Sequence, residues 1–163
     1  MTSEESGPER PAQELEEALA RMRWSIEPEA FSLASFPRHL APDLALDLGP
    51  HAQVTFEPEE VTVLAASTAL VPLLTRFPEG KVEADLAWIR FETAMAWDVV
   101  GFLALVCSRL ARVGVPLGAI CSFDRDHLFV ARRYLERVGP VLDDLFGRDG
   151  AGAGPLTALP PRR

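Results

Sequence analysis

Cysteine is scarce in this chain. Its 163 residues hold two, Cys107 and Cys121, and neither belongs to a CxxC pair. That leaves no paired-thiol motif, and a disulfide between the two, possible in principle, is not expected in a reducing cytoplasm. Each lies in an apolar segment, so two buried, reduced and inert thiols are expected. Long apolar runs are missing too, and none approaches the ~20 residues that span a bilayer. The acidic N-terminus, MTSEESGPERPAQELEE, lacks the apolar stretch of a secretory signal. A cytoplasmic protein with no membrane partner is the expectation. Basic charge is in the minority, with 16 Lys and Arg against 24 Asp and Glu. Phosphate binding needs a basic face, so nucleic acid is not expected as the main partner. Arg109, Arg112, Arg132, Arg133 and Arg137 do cluster, but on helical segments, where charge marks a solvated face. P-loop, GxGxxG and nucleophile-elbow patterns are absent, and no enzymatic activity or cofactor is expected.

What is present reads as a soluble globular chain, 48% hydrophobic and 25% charged. Leu15, Ala18, Leu19 and Met22 share a helical face, although that helix is short, acidic and expected to pack weakly. Ala84–Glu92 reads as a strand. Asp98–Val113 reads as a helix, with Asp98 as its N-cap and Gly114 just past its end. Val115–Phe123 and Leu128–Ala131 read as strands. Arg132–Phe146 reads as a helix that Gly139-Pro140 should kink or split. Pro37 and Pro42 rule out a long helix between Ala34 and Gly49.

The chain also matches itself. At an offset of 67 residues, QVTFEPEEVTVLA overlies ICSFDRDHLFVAR, with Glu57 on Asp124, Glu59 on Asp126 and Glu60 on His127. A duplicated strand–helix–strand–strand–helix unit follows from this pattern.

The run AWDVVGFLALVCSRLARVGVPLGAICSFDRDHLFV resembles the second half of small tandem ACT-domain proteins, the bacterial relatives of the CASTOR-type arginine sensors. The carrying pieces are Asp98 and Gly101, Ser122-Phe123, Asp126-His127 and LFV. In the first half QVTFEPEEVTVLA is similar to the family's hairpin, with Glu60 before the strand. The resemblance implies an α+β fold of two ferredoxin-like (βαββαβ, ACT-type) units in tandem, the first with a shortened first helix. The expected layout is a flexible segment with a short helix over 1–23, units over 24–80 and 81–146, and a flexible tail over 147–163. No strand after the last helix completes the second unit. The segment around Trp24–Leu33 could do so by crossing over.

The resemblance further implies a noncatalytic protein with a regulatory or sensing role that binds a small effector, an amino acid by preference. The effector would sit between Asp98, Val99, Val100 and Gly101 on one turn and Ser122, Phe123, Asp124 and Asp126 on the other. The equivalent contact in the first half is near Thr55 and Glu60. The nearby acids favour a ligand with a cationic group. The alternative is an ACT pair without a ligand that serves protein interaction or dimerisation. Read from the residues alone, Ser122–His127 is equally a solvated hairpin turn. A metal would need Asp124, Asp126 and His127. Adjacent Asp126 and His127 would point to opposite faces of a strand, and His39 and His51 have no helpful spacing, so no metal is expected. Ser122 and His127 show no spacing that orients a nucleophile and its base. Trp24, Trp88 and Trp97 are read as core or interface residues, with Trp97 able to wall a pocket. Phe91 and Trp97 as an exposed patch would suit a homodimer.

Overall fold

The structure, a computed structural model, describes residues 13–43 and 47–147. The flexible ends expected from the sequence, 1–12 and 148–163, lie outside the described residues. In chain order the elements are α1 (Gln13–Arg21), β1 (Trp24–Ile26), β2 (Phe31–Pro37), a 3-10 helix (Arg38–Asp43), β3 (Gln53–Phe56), β4 (Glu60–Ala66), α2 (Ser67–Arg76), β5 (Lys81–Phe91), α3 (Phe102–Arg112), β6 (Gly118–Cys121), β7 (Asp126–Ala131), a 3-10 turn (Arg132–Tyr134) and α4 (Leu135–Phe146). No helix among the described residues is long and apolar enough to cross a membrane.

The strands form one antiparallel sheet in the order β3-β4-β2-β5-β7-β6, and β1 also pairs with β5. β5 organises it. Its first part pairs with β2, through Leu86↔Phe31 and Lys81↔Ser35. Its second part pairs with β7 on one edge and with β1 on the other, where Trp24 faces Phe91. The missing partner of the second half is thus the N-terminal strand, delivered from the front of the chain. Asp85 sits where β5 changes partner, with a left-handed φ of 59°. The register against β2 slips at the same place. Such a slip is a bulge, and it re-aims the side chains that follow.

Strand alternation then decides what each face buries. Ala34, Phe36, Val61, Val63 and Ala65 pack beneath α2 with Leu70, Leu73 and Phe77. Ala87, Ile89, Phe91, Leu128 and Val130 pack beneath α1, α3 and α4, against Phe102, Val106, Leu110, Val138 and Leu142. Among the described residues no α-helix covers the opposite face. There Phe31, Leu64, Leu86, Trp88 and Ala131 form a third cluster. The sheet curls on that side until residues of β3 and β6, at its two ends, line one pocket with Leu33, Leu64 and Phe129.

Several elements depart from the sequence reading. α1 is short, yet Leu15, Ala18 and Met22 are buried in the core beside α3 and α4. Phe91, offered as surface, is fully buried. α4 runs unbroken through Gly139 and Pro140, just as α2 runs through Pro72. A helix can carry proline at the loss of one backbone bond when packing holds it, and Val138 and Leu142 on either side of Pro140 are fully buried. α3 does end at Gly114, as read. The Val115 N–H donates to the Leu110 carbonyl at 3.1 Å and the Gly114 N–H to Ala111 at 3.0 Å, the pair of bonds that closes a helix over a left-handed glycine.

The largest correction is the repeat offset. The first hairpin pairs Phe56 with Val61, and the second pairs Cys121 with Asp126. The two ladders therefore superpose at 65 residues, not 67. The turns agree: Glu57 N–H donates to the Glu60 carbonyl at 2.9 Å and Ser122 N–H to that of Arg125 at 2.8 Å. A slip of two preserves the strand period, so the apolar pattern fits both alignments.

Candidate functional site

Two segments meet beside the edge strand β6. One is the loop that follows β5. The other is the turn between β6 and β7. They are tied by the Met95 N–H, which donates to the Asp124 carbonyl at 3.0 Å, and by Arg125 Nε, which donates to the Glu92 carbonyl at 3.0 Å. In the first half Arg38 makes the same turn contact, to Glu59 at 3.0 Å, directly after β2. In the second half Glu92, Thr93 and Ala94 intervene between β5 and Met95, and the chain then needs six more residues to reach α3. That excursion leaves a cleft of about 250 Å³ between loop and turn, at the small end of ligand sites.

Helix α3 opens onto this cleft. Gly101 precedes it with φ of 94°, a conformation open to glycine and costly for other residues. The first-turn amides of Phe102, Leu103 and Ala104 have no intrahelical acceptor, and all three residues line the cleft. They offer N–H donors and a partial positive charge to an anionic group.

Asp126 lines it too. It begins β7 on the helix-facing side, at 9% exposure, in the register position that Val61 fills at 0% in the first hairpin. Among the described residues no Lys, Arg or His nitrogen lies within 4.0 Å of its carboxylate. Across the ladder it stands beside Cys121, and its carboxylate, together with partial burial, pushes that thiol up to about 11. Burial also raises Cys107, and the Asp126 charge adds to it. Cys121 is exposed rather than buried, because β6 is an edge strand and its last residue faces the cleft. Both cysteines are free.

His127, the next residue, points to the other face, as strand alternation requires. The Trp88 Nε1–H donates to its Nδ1 at 3.1 Å, and its Nε2 lies 3.3 Å from Ser122 Oγ. An indole nitrogen can only donate, so Nδ1 is the acceptor and the neutral ring carries its proton on Nε2. Ser122 Oγ in turn donates to the Arg125 carbonyl at 2.9 Å. This tautomer is the wrong one for a base that takes a proton from serine, so the pair is not set up as nucleophile and base.

The residues named from the sequence are distributed as follows. Val99, Gly101, Ser122, Phe123, Asp124 and Asp126 line the cleft. Asp98 does not. It is exposed, four residues before α3, and lines a separate groove against α1 with Glu14, Glu17 and Arg21. It is not an N-cap, since the helix begins only after the left-handed Gly101. Val100 points to solvent at 76% exposure. Thr55 lies under the curled face of the sheet. Glu60 bonds Ser35 and Thr62 in the first half, and those hydrogen bonds lower its carboxyl. Cleft residues outside the expected ligand set include Met95, Cys121 and Arg125. Trp97 is a lip of the cleft rather than core, at 88% exposure, and Phe123 faces it at 92%. Among the described residues no group of three or more His, Cys, Asp or Glu is placed to hold a metal ion.

Residues 81–144 match the family model of the ACT domain, covering β5 through most of α4. No curated protein sequence matches the chain. Solved structures share the fold. A protein from Agrobacterium tumefaciens superposes with a TM-score of 0.64 at 20% identity, over 80% of this chain and 90% of that one. A protein of unknown function from Vibrio cholerae, described as a possible transport protein, gives 0.61 at 19% identity, over 80% and 93%. The ligand-free regulatory subunit of aspartate kinase from Thermus thermophilus gives 0.53 at 13% identity, over 76% and 96%. At these identities the likeness is one of fold: an α+β, ACT-like arrangement of an antiparallel sheet and helices.

Proposed function

We propose that this chain is a noncatalytic, regulatory small-ligand-binding protein, built as two ACT-type ferredoxin-like units that share β5. The strand orders β3-β4-β2-β5 and β1-β5-β7-β6 support the tandem reading, each with the same relation of first, second, third and fourth strands. The match of residues 81–144 to the ACT domain supports the regulatory one. Kinship with the bacterial relatives of the CASTOR-type arginine sensors belongs to the same proposal.

The ligand is an amino acid or a close analogue with a cationic group, and the cleft between the Met95–Ala104 segment and the Cys121–Asp126 turn holds it. One observation carries this: Asp126 is a carboxylate in a core-facing position, nine-tenths buried, with no basic partner among the described residues. Burying an unpaired charge is costly, and a cation arriving in the cleft relieves that cost. The α3 amides receive the ligand's carboxylate a few residues away. Thermal-shift screening of the twenty amino acids tests the proposal. A ligand at 100 times its Kd adds about 2.7 kcal/mol of stability, so a clear rise in Tm is expected with at least one of them. No shift with any at millimolar concentration would rule the reading out.

A second reading, an interaction or homodimerisation module, has its own observation. Trp97 and Phe123 are large, apolar and almost fully exposed, and both line the cleft. Exposed aromatics of this size mark contact surfaces. Sedimentation of the protein with Trp97→Ser and Phe123→Ser would separate the readings, because only a dimerisation surface predicts loss of a dimer.

A further inference from the structure

Trp88, His127, Ser122 and Arg125 form a hydrogen-bond chain from the apolar cluster on the helix-free face of the sheet to the hairpin turn. Trp88 is 4% exposed and packs against Phe31, the rings tilted with 5.1 Å between centroids. Its burial makes it a fixed donor. Its indole N–H fixes the half-buried imidazole, the imidazole bonds Ser122 Oγ, and Ser122 grips the Arg125 carbonyl with both its hydroxyl and its backbone N–H. Arg125 closes the circuit by donating to Glu92, on the opposing loop.

We propose that His127 is a positioning residue for the cleft, fixing the Ser122–Arg125 turn while its ring is neutral and releasing that turn when the ring takes up a proton. The reason is donor count. A protonated imidazole carries N–H on both nitrogens, and its Nδ1–H then confronts the Trp88 N–H, which cannot become an acceptor. One of the two must move, and the turn moves with His127.

The charged groups around the ring oppose protonation. Burial comes first and Arg90, opposite His127 on β5, second, and both hold the imidazole below its ordinary value. His51, on the far side of Trp88 with ring centroids 6.1 Å apart, and Arg125 act in the same sense. Asp126 favours the charged form. Two acids stand on this face: Glu27 lies 3.5 Å from His51 and 3.9 Å from Arg90, and Glu92 lies 3.3 Å from Arg90. The sign follows. With the folded value below the unfolded 6.5, the turn is ordered at neutral pH, and its order is lost as pH falls through the folded value.

The effect on ligand binding rests on the cleft being the ligand site; the effect on the turn does not. NMR of the whole chain between about pH 7.5 and about pH 5 reads the turn directly. The expected result is that protection of the Ser122 amide falls roughly five- to tenfold, the worth of one hydrogen bond. It should fall with the midpoint of the His127 ring and of the Trp88 indole resonance, and His127→Asn should abolish the dependence. A Ser122 amide whose protection stays constant while the His127 ring titrates overturns the proposal, and so does an unchanged loss in His127→Asn. Titration with L-arginine forms the second arm, with weaker binding at the acidic end in the natural protein and a flat profile in His127→Asn. No L-arginine binding at either pH counts against the ligand reading, and the amide data alone then decide the proposal.

Discussion

Asp126 stands in the second hairpin where Val61 stands in the first. The strand ladders fix this, since Val61 faces Phe56 and Asp126 faces Cys121 across equivalent pairs. The first hairpin fills this helix-facing position with a methyl-bearing side chain, and the second fills it with a carboxylate. Natural sequences break the polar pattern of a core mostly where function requires it.

The first prediction reverses that exchange. Asp126→Val should keep the fold and leave stability unchanged or raise it, by up to about 2 kcal/mol, because an apolar isostere removes an unpaired buried charge. The same change should abolish binding of a cationic ligand. Denaturant unfolding and ligand titration on one sample measure both. An Asp126→Val protein that is markedly less stable would show that the carboxylate serves the fold instead.

A second prediction concerns Cys121. The residue is exposed, yet the neighbouring Asp126 carboxylate and partial desolvation of the sulfur push the thiol up to about 11. The thiolate is the reactive form, so alkylation at about pH 8 should run roughly a hundredfold slower than for an ordinary thiol. Asp126→Asn should recover much of that rate. Site-resolved mass spectrometry after iodoacetamide treatment measures it. A Cys121 that reacts as fast as glutathione would contradict the account.

The bend of β5 gives the third. Asp85 holds φ of 59°, its side chain is exposed, and its ion pair with Arg132 is long at 4.0 Å. Such pairs contribute little. The backbone dominates, so Asp85→Val should destabilise by about 1–2 kcal/mol, the cost of a left-handed β-branched residue. Asp85→Gly should be close to neutral. Thermal denaturation distinguishes the two, and equal losses would show that the side chain, not the backbone, matters there.

Much of this is legible in the residues. The period-3.6 patterns find α3 and α4, and the repeat finds both hairpins. The missing last strand of the second half points back to the segment at Trp24. What escapes a reading of the residues does so for physical causes. An offset of 67 cannot be told from 65, because both keep alternate residues on one face. The offset of 67 pairs Asp126 with Glu59 and hides its relation to Val61. Asp98 looks like an N-cap because an acid before an apolar helical run is a common helix start. The left-handed Gly101, directly before the real start, carries no pattern of its own. Cys121 reads as core from its neighbours, and only the sheet order puts β6 at an edge. His127 and Trp88 are 39 residues apart, and their bond depends on the pairing of β5 with β7.

The central claim is that one cleft per chain binds a cationic ligand through Asp126, and that the first half, with Val61 in that place, binds none. Isothermal titration of the amino acid that gives the largest thermal shift tests it most directly. The account predicts one ligand per chain, with binding absent in Asp126→Val and retained in Val61→Ala. Two ligands per chain, or undiminished binding by Asp126→Val, would contradict it.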